Sequence, residues 1–168
     1  LGKVAVLAVA ISVLGIAMCA FFHKAEHFAK HHVANPYVRI AVGGAIVMVL
    51  TLIVGDHRFN GAGMDMALAA VEGHTDWYNF LLKMLFTAVT LGAGFKGGEI
   101  VPTLFIGATL GFSLSGFVGL PVGFCAAVCM IALFAGVTNC PIASVFLAVE
   151  LFGAEGLLYY ALSIFVCF

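Results

Sequence analysis

From Leu1 to Phe22 the chain is apolar almost without a break, with Lys3 as its single charge. A helix needs about 20 such residues to cross the hydrocarbon core of a bilayer, so this run predicts a membrane span. Composition extends the conclusion to the whole chain. Of its 168 residues 64% are hydrophobic and 9% charged, against roughly 25% charged in a soluble domain whose surface faces water. The 7 basic and 8 acidic residues nearly cancel, which excludes the basic face that a nucleic-acid-binding protein presents. The lipid bilayer is the expected partner. The fold class read from this pattern is all-α, a single polytopic membrane domain over residues 1–168.

The first span continues into a polar extension, His23 to His32, which Asn35-Pro36 is expected to end, because a proline disfavours helical geometry in the residue before it. Tyr37–Val54 reads as a second span and Asp56-His57-Arg58 as the opposite interface. Lys24, Lys30 and Arg39 cluster between the two spans, and the positive-inside rule puts that connection in the cytoplasm. Phe59–Gly63 reads as a turn and Met64–Val71 as a helix too short to span. Trp77–Leu91 is a third long segment, with Thr75 or Asp76 as its expected N-cap and Trp77 as an interfacial anchor. Ile100–Val118 carries Gly107, Gly111 and Ser115 at four-residue spacing, a stripe that lets another helix backbone come close. Pro121–Val137, a break at Thr138–Pro141, Ile142–Phe152 and Leu157–Phe168 complete the pattern. The chain starts without Met and stops inside an apolar run, so it reads as an excerpt of a longer protein.

Several of these segments are shorter than a full span. Broken helices at membrane depth are tolerated where the backbone is buried in protein or lines a water-filled cavity, and transporters use them to aim helix N-termini at ions. The segment Gly92-Ala93-Gly94-Phe95-Lys96-Gly97-Gly98-Glu99-Ile100-Val101-Pro102 fits that use. A glycine-rich loop runs into a helix with proline in its first turn, where a missing N–H leaves no partner wanting. The free N–H groups of Glu99, Ile100 and Val101 then sit at the positive end of the helix dipole and suit an anion. The candidate anion-binding residues are therefore Gly97, Gly98, Glu99, Ile100, Val101 and Pro102. Lys96 either draws anions to the loop or snorkels to the interface.

Gly98-Glu99-Ile100-Val101-Pro102 resembles the second-half anion-site motif of the CLC family of chloride channels and chloride–proton antiporters, G-x-F-x-P. Leu104–Gly111, Asn139–Ser144 and Ala148–Leu151 resemble the segments that follow it in that family. The resemblance covers the whole chain, most specifically Gly92–Gly111 and Asn139–Leu151. It implies the second of two inverted repeats, a chloride channel or chloride–proton antiporter, no catalytic residues, no cofactor and no metal. It also implies a multi-pass protein of the cell membrane, and a homodimer meeting through Ile142–Phe152 and Leu157–Phe168. The family's G-S-G-x-P loop, its G-[K/R]-E-G-P segment with the gating glutamate, and its late pore tyrosine have no counterpart here. Ile100 stands where the family usually has Phe, and Glu99 where it has an apolar residue. Glu99 resembles the fluoride-exporting branch, which makes fluoride–proton exchange the alternative, although that branch carries Thr where this chain has Val101. A carboxylate beside an anion site is protonated, couples protons, or turns away into the protein.

Other features have readings of their own. Cys125 and Cys129, one helical turn apart, read as small packing residues in preference to soft-metal ligands. His23, His27 and His31 recur on one helix face; interleaved with Lys24, Glu26 and Lys30, they read as a solvated extension and not a zinc site. Glu150 reads as an interhelical hydrogen-bonding group. A non-transporting membrane assembly subunit is the alternative from another class, but it has no need for a glycine loop leading into a proline-started helix.

Overall fold

The computed structural model describes residues 2–61, 63–95 and 97–168. Leu1, Ala62 and Lys96, each part of a sequence expectation, lie outside the described residues. The described chain is helical throughout, as expected: α1 (Gly2–His32), α2 (Pro36–Val54), α3 (Met64–Val71), α4 (Asn79–Ala93), α5 (Ile100–Val118), α6 (Val122–Thr138), α7 (Pro141–Phe152) and α8 (Leu157–Cys167). Single 3-10 turns lie at His57–Phe59 and Ala154–Gly156.

Among the described residues three helices, α1, α2 and α5, are long and apolar enough to cross a membrane. α1 buries Val4, Leu7, Ala8, Ile11, Met18 and Phe22, a stripe with the period of one helix face. Val6, Val9, Val13 and Ile16 on its other side are exposed, a pattern that needs lipid as its solvent. α2 is more extreme: only Gly43 and Thr51 are buried, while Leu52 and Ile53 are 80% and 75% exposed.

The core is the pair α5 and α6, which pack on each other more extensively than any other two elements. Every residue of α6 from Cys125 to Ala135 is buried, and α1, α3, α7 and α8 surround it. The small-residue stripe explains the closeness of the pair. A Cβ on Gly107 would lie 2.7 Å from Met130 Cα, and one on Gly111 2.5 Å from the Cys125 carbonyl oxygen. Cys125 and Cys129 are fully buried along this seam, as packing residues.

Several boundaries differ from the sequence reading: α6 begins at Val122 and runs through Thr138, and α7 begins at Pro141, which narrows the expected break to Asn139 and Cys140. Pro36 opens α2 at its first turn, with the Asn35 side chain accepting from the Tyr37 N–H at 3.0 Å; a proline needs no N–H partner there. α4 begins at Asn79, so neither Thr75 nor Asp76 caps it. Instead the Asn79 side chain donates to Thr75 Oγ1 at 2.8 Å and its backbone N–H to the Asp76 carbonyl, and Trp77 stays in the preceding turn, 65% exposed. α4 also runs on through Gly92 and Ala93. Gly92 is tolerated there because α1 passes close by, leaving a Cβ only 3.1 Å from the Ala25 carbonyl oxygen.

Candidate functional site

The helix break expected between Leu91 and Ile100 lies at Gly94–Glu99. Gly94 ends α4 in the left-handed region, at φ 90°, where glycine carries no Cβ penalty. Its N–H donates to the Leu91 carbonyl at 2.9 Å, and that of Phe95 to the Thr90 carbonyl at 3.3 Å. Arg39 of α2 adds a charge-assisted bond, its Nε donating to the Ala93 carbonyl at 3.3 Å. A cation at a helix C-terminus is favoured by the dipole. The end of α4 is thereby fixed, and with it the start of the loop.

The loop then feeds α5. Glu99 occupies the N-cap position with helical backbone angles, and its side chain makes no capping bond. Its carbonyl accepts twice from Thr103, from the N–H at 3.0 Å and from Oγ1 at 2.7 Å. Thr103 is completely buried, so it anchors the first turn to the core. Among the described residues no acceptor is recorded for the N–H groups of Glu99, Ile100 and Val101. Pro102 has none to satisfy. Gly97, Gly98, Glu99 and Ile100 are exposed, and Val101 and Pro102 half-buried. Gly97 to Ile100 thus form an exposed stretch that leads into the half-buried Val101 and Pro102 at the first turn of α5. The Glu99 side chain is exposed and makes no hydrogen bond among the described residues.

A cavity of about 90 Å³ lies behind this surface, lined by Gly97, Gly98 and Pro102 on one side. Lys83, Thr87, Thr90 and Asn60 line it together with Val47, Phe59, Gly61, Phe86 and Leu91. Sequence reasoning missed Lys83, a single lysine in an apolar helix, and the buried Thr87 and Thr103. The signal was available, since an ionisable residue inside such a segment is a functional candidate by default.

Other sequence candidates fall away from this place. The His23–His32 extension is exposed, with Lys30 paired to Glu26 at 2.6 Å and the rings of His27 and His31 stacked at 6.4 Å. The groove along it is lined by residues of α1 alone. Glu150 is exposed on α7 and makes no hydrogen bond among the described residues.

A bundle of spanning and broken helices around a buried central pair is the architecture of a polytopic membrane protein. The voltage gated chloride channel family matches residues 1–168, and the chain belongs to that family, the CLC family. It is 35% identical over 147 residues to a chloride/fluoride channel protein of Pseudomonas syringae pv. tomato, covering 84% of this chain and 32% of that protein. A putative ion-transport protein, YfeO, of Salmonella newport is 30% identical over 127 residues, covering 73% of this chain and 31% of its own length. The crystal structure of a CLC-type fluoride/proton antiporter superposes with a TM-score of 0.93 at 27% identity, over 98% of this chain and 42% of that one. The chain thus spans about a third of the length of the curated relatives it matches.

Proposed function

We propose that the full-length protein carrying this chain moves a small halide, chloride or fluoride, across the cell membrane. The anion is held by the backbone N–H groups of Glu99, Ile100 and Val101 within the loop Gly97–Pro102, and the chain supplies the second half-repeat of the transporter. The observation that carries this reading is the free-amide start of α5, fixed by Thr103 behind and by Arg39 at the end of α4. Amide dipoles attract a halide without the full charge that would hold it too long for rapid passage. In this reading the remainder of the protein faces the exposed loop and closes the site. The protein is a transporter and not an enzyme, and needs no metal or organic cofactor.

Fluoride has specific support. Glu99 presents an exposed carboxyl, with no hydrogen-bond partner among the described residues, beside the first amides of α5, and in its acid form that group donates a hydrogen bond. Fluoride, the strongest acceptor among the halides, gains most from such a donor. The superposing structure is that of a fluoride/proton antiporter. We also propose homodimerisation through α7 and α8, whose Ile142, Phe146, Leu158 and Phe165 are 66–79% exposed. The test is halide flux from liposomes containing the full-length protein, followed with fluoride- and chloride-selective electrodes. Efflux of either ion above protein-free liposomes is expected; no efflux of either would overturn the proposal.

A further inference from the structure

Lys83 is 2% exposed, and its ammonium donates to the carbonyls of Phe59 at 3.2 Å and Gly61 at 2.5 Å. It also lies 5.3 Å from the centroid of the Phe105 ring, within cation–π range. These partners are all neutral. The ion pairs among the described residues are Lys30–Glu26 and Arg58–Asp56, so no described carboxylate answers the Lys83 charge. A buried, unpaired ammonium is costly. An ammonium also has three donors, of which the two carbonyls use two.

The same cavity that backs the α5 loop borders Lys83. Its other polar wall includes Thr87, which is 7% exposed and makes no side-chain hydrogen bond among the described residues. Thr90, by contrast, donates to the Phe86 carbonyl at 2.7 Å. The Asn60 side-chain amide lies 2.8 Å from the Thr51 hydroxyl, which also reaches the Val47 carbonyl at 2.8 Å, so Asn60 is engaged with Thr51. The carbonyls of Phe59 and Gly61 are occupied by Lys83 itself. The groups around the cavity left with an N–H or O–H to give are therefore the Lys83 ammonium and the Thr87 hydroxyl. At about 90 Å³ the space exceeds what one water requires and has room for a halide with a water or two.

We propose that this cavity is a second halide site, in which Lys83 and Thr87 bind an ion behind the α5 amides. It rests on the reading of α5 as an anion site only for the identity of the ligand. Lys83 thus has two duties: it holds the backbone of the α2–α3 loop and offers its third donor to the ion. Gly63 leaves room for the ammonium, since a Cβ there would lie 3.3 Å from Nζ.

The test is anomalous diffraction from crystals of the full-length protein soaked in bromide, comparing wild type with Lys83→Met and Thr87→Val. Expected in wild type is a bromide peak in the cavity, within hydrogen-bonding reach of Lys83 Nζ. Lys83→Met should abolish it and Thr87→Val weaken bromide binding there by about tenfold, the loss of one hydrogen bond to an ion. Any peak at the α5 amides should persist in both variants. Should Lys83→Met fail to fold, Thr87→Val keeps the test, because it leaves the carbonyl bonds of Lys83 intact. A wild-type cavity holding only water, or a cavity peak unchanged by Thr87→Val, would overturn the proposal. A filled cavity with no bromide at the α5 amides would support this site while refuting the amide site.

Discussion

Replacing Gly111 by alanine adds one methyl group at the closest approach of α5 and α6. The new carbon would lie 2.5 Å from the Cys125 carbonyl oxygen, 2.7 Å from Ala126 Cα and 2.9 Å from the Ala126 nitrogen. All three are backbone atoms, so no side chain can swing aside and one helix must retreat by roughly 1 Å to restore ordinary contact. Overpacking of this kind costs about 1–3 kcal/mol. Alanine recovers about 1 kcal/mol of that through its better helix propensity, which leaves a net loss of up to about 2 kcal/mol. Gly116, on the same helix, has no heavy atom within 4 Å of an added Cβ. Only the propensity gain applies there, and Gly116→Ala should raise stability by up to about 1 kcal/mol. The assay is unfolding of the full-length protein in mixed micelles, titrated with a denaturing detergent and followed by helicity. The two variants should shift the midpoint in opposite directions. Equal shifts would refute the close seam between α5 and α6.

Further outcomes are expected elsewhere. Glu99→Gln, which keeps a donor, should preserve fluoride-over-chloride selectivity in liposome flux better than Glu99→Ala; identical selectivity in all three proteins would make Glu99 a bystander. The Arg58 N–H and then its guanidinium, 2.9 and 2.5 Å from the Asp56 carboxylate, hold that carboxyl below its ordinary value of 3.8. A depressed carboxylate contributes stability above its ordinary value and loses it as pH falls through the folded one, so the fall in melting temperature as pH drops below 3.8 should be smaller in Asp56→Asn. If α7 and α8 form the dimer interface, Ile142→Cys should crosslink between copies and Leu52→Cys on α2 should not; a monomer mass in detergent would contradict this. Cys167 is a poor reporter for that experiment, since its Sγ donates to the Ala8 carbonyl within the chain.

The fold was legible where the signal was local. Apolar runs, the break at Thr138–Pro141 and the spacing of Gly107, Gly111 and Ser115 each state their structure in a few adjacent residues. The start of α5 was legible for the same reason, since glycine, a first-turn proline and free amides are all local properties. Boundaries decided by side chains were not: the Asn79 amide bonding back to Thr75 moves the start of α4 past Trp77. Nor was the setting of Lys83, because its partners Phe59 and Gly61 lie 24 and 22 residues away in the chain. Sequence spacing carries no hint that a loop returns its carbonyls to that ammonium.

The central claim is that backbone N–H groups at the start of α5 hold the transported anion. It is tested most directly by replacing the Ile100 amide with an ester in the full-length protein, which deletes one N–H and leaves every side chain in place. Halide binding is then measured by titration calorimetry. A hydrogen bond to a charged group contributes about 1.5–3 kcal/mol, so the ester should weaken binding by roughly 10- to 100-fold. Halide affinity unchanged by the ester would contradict the account.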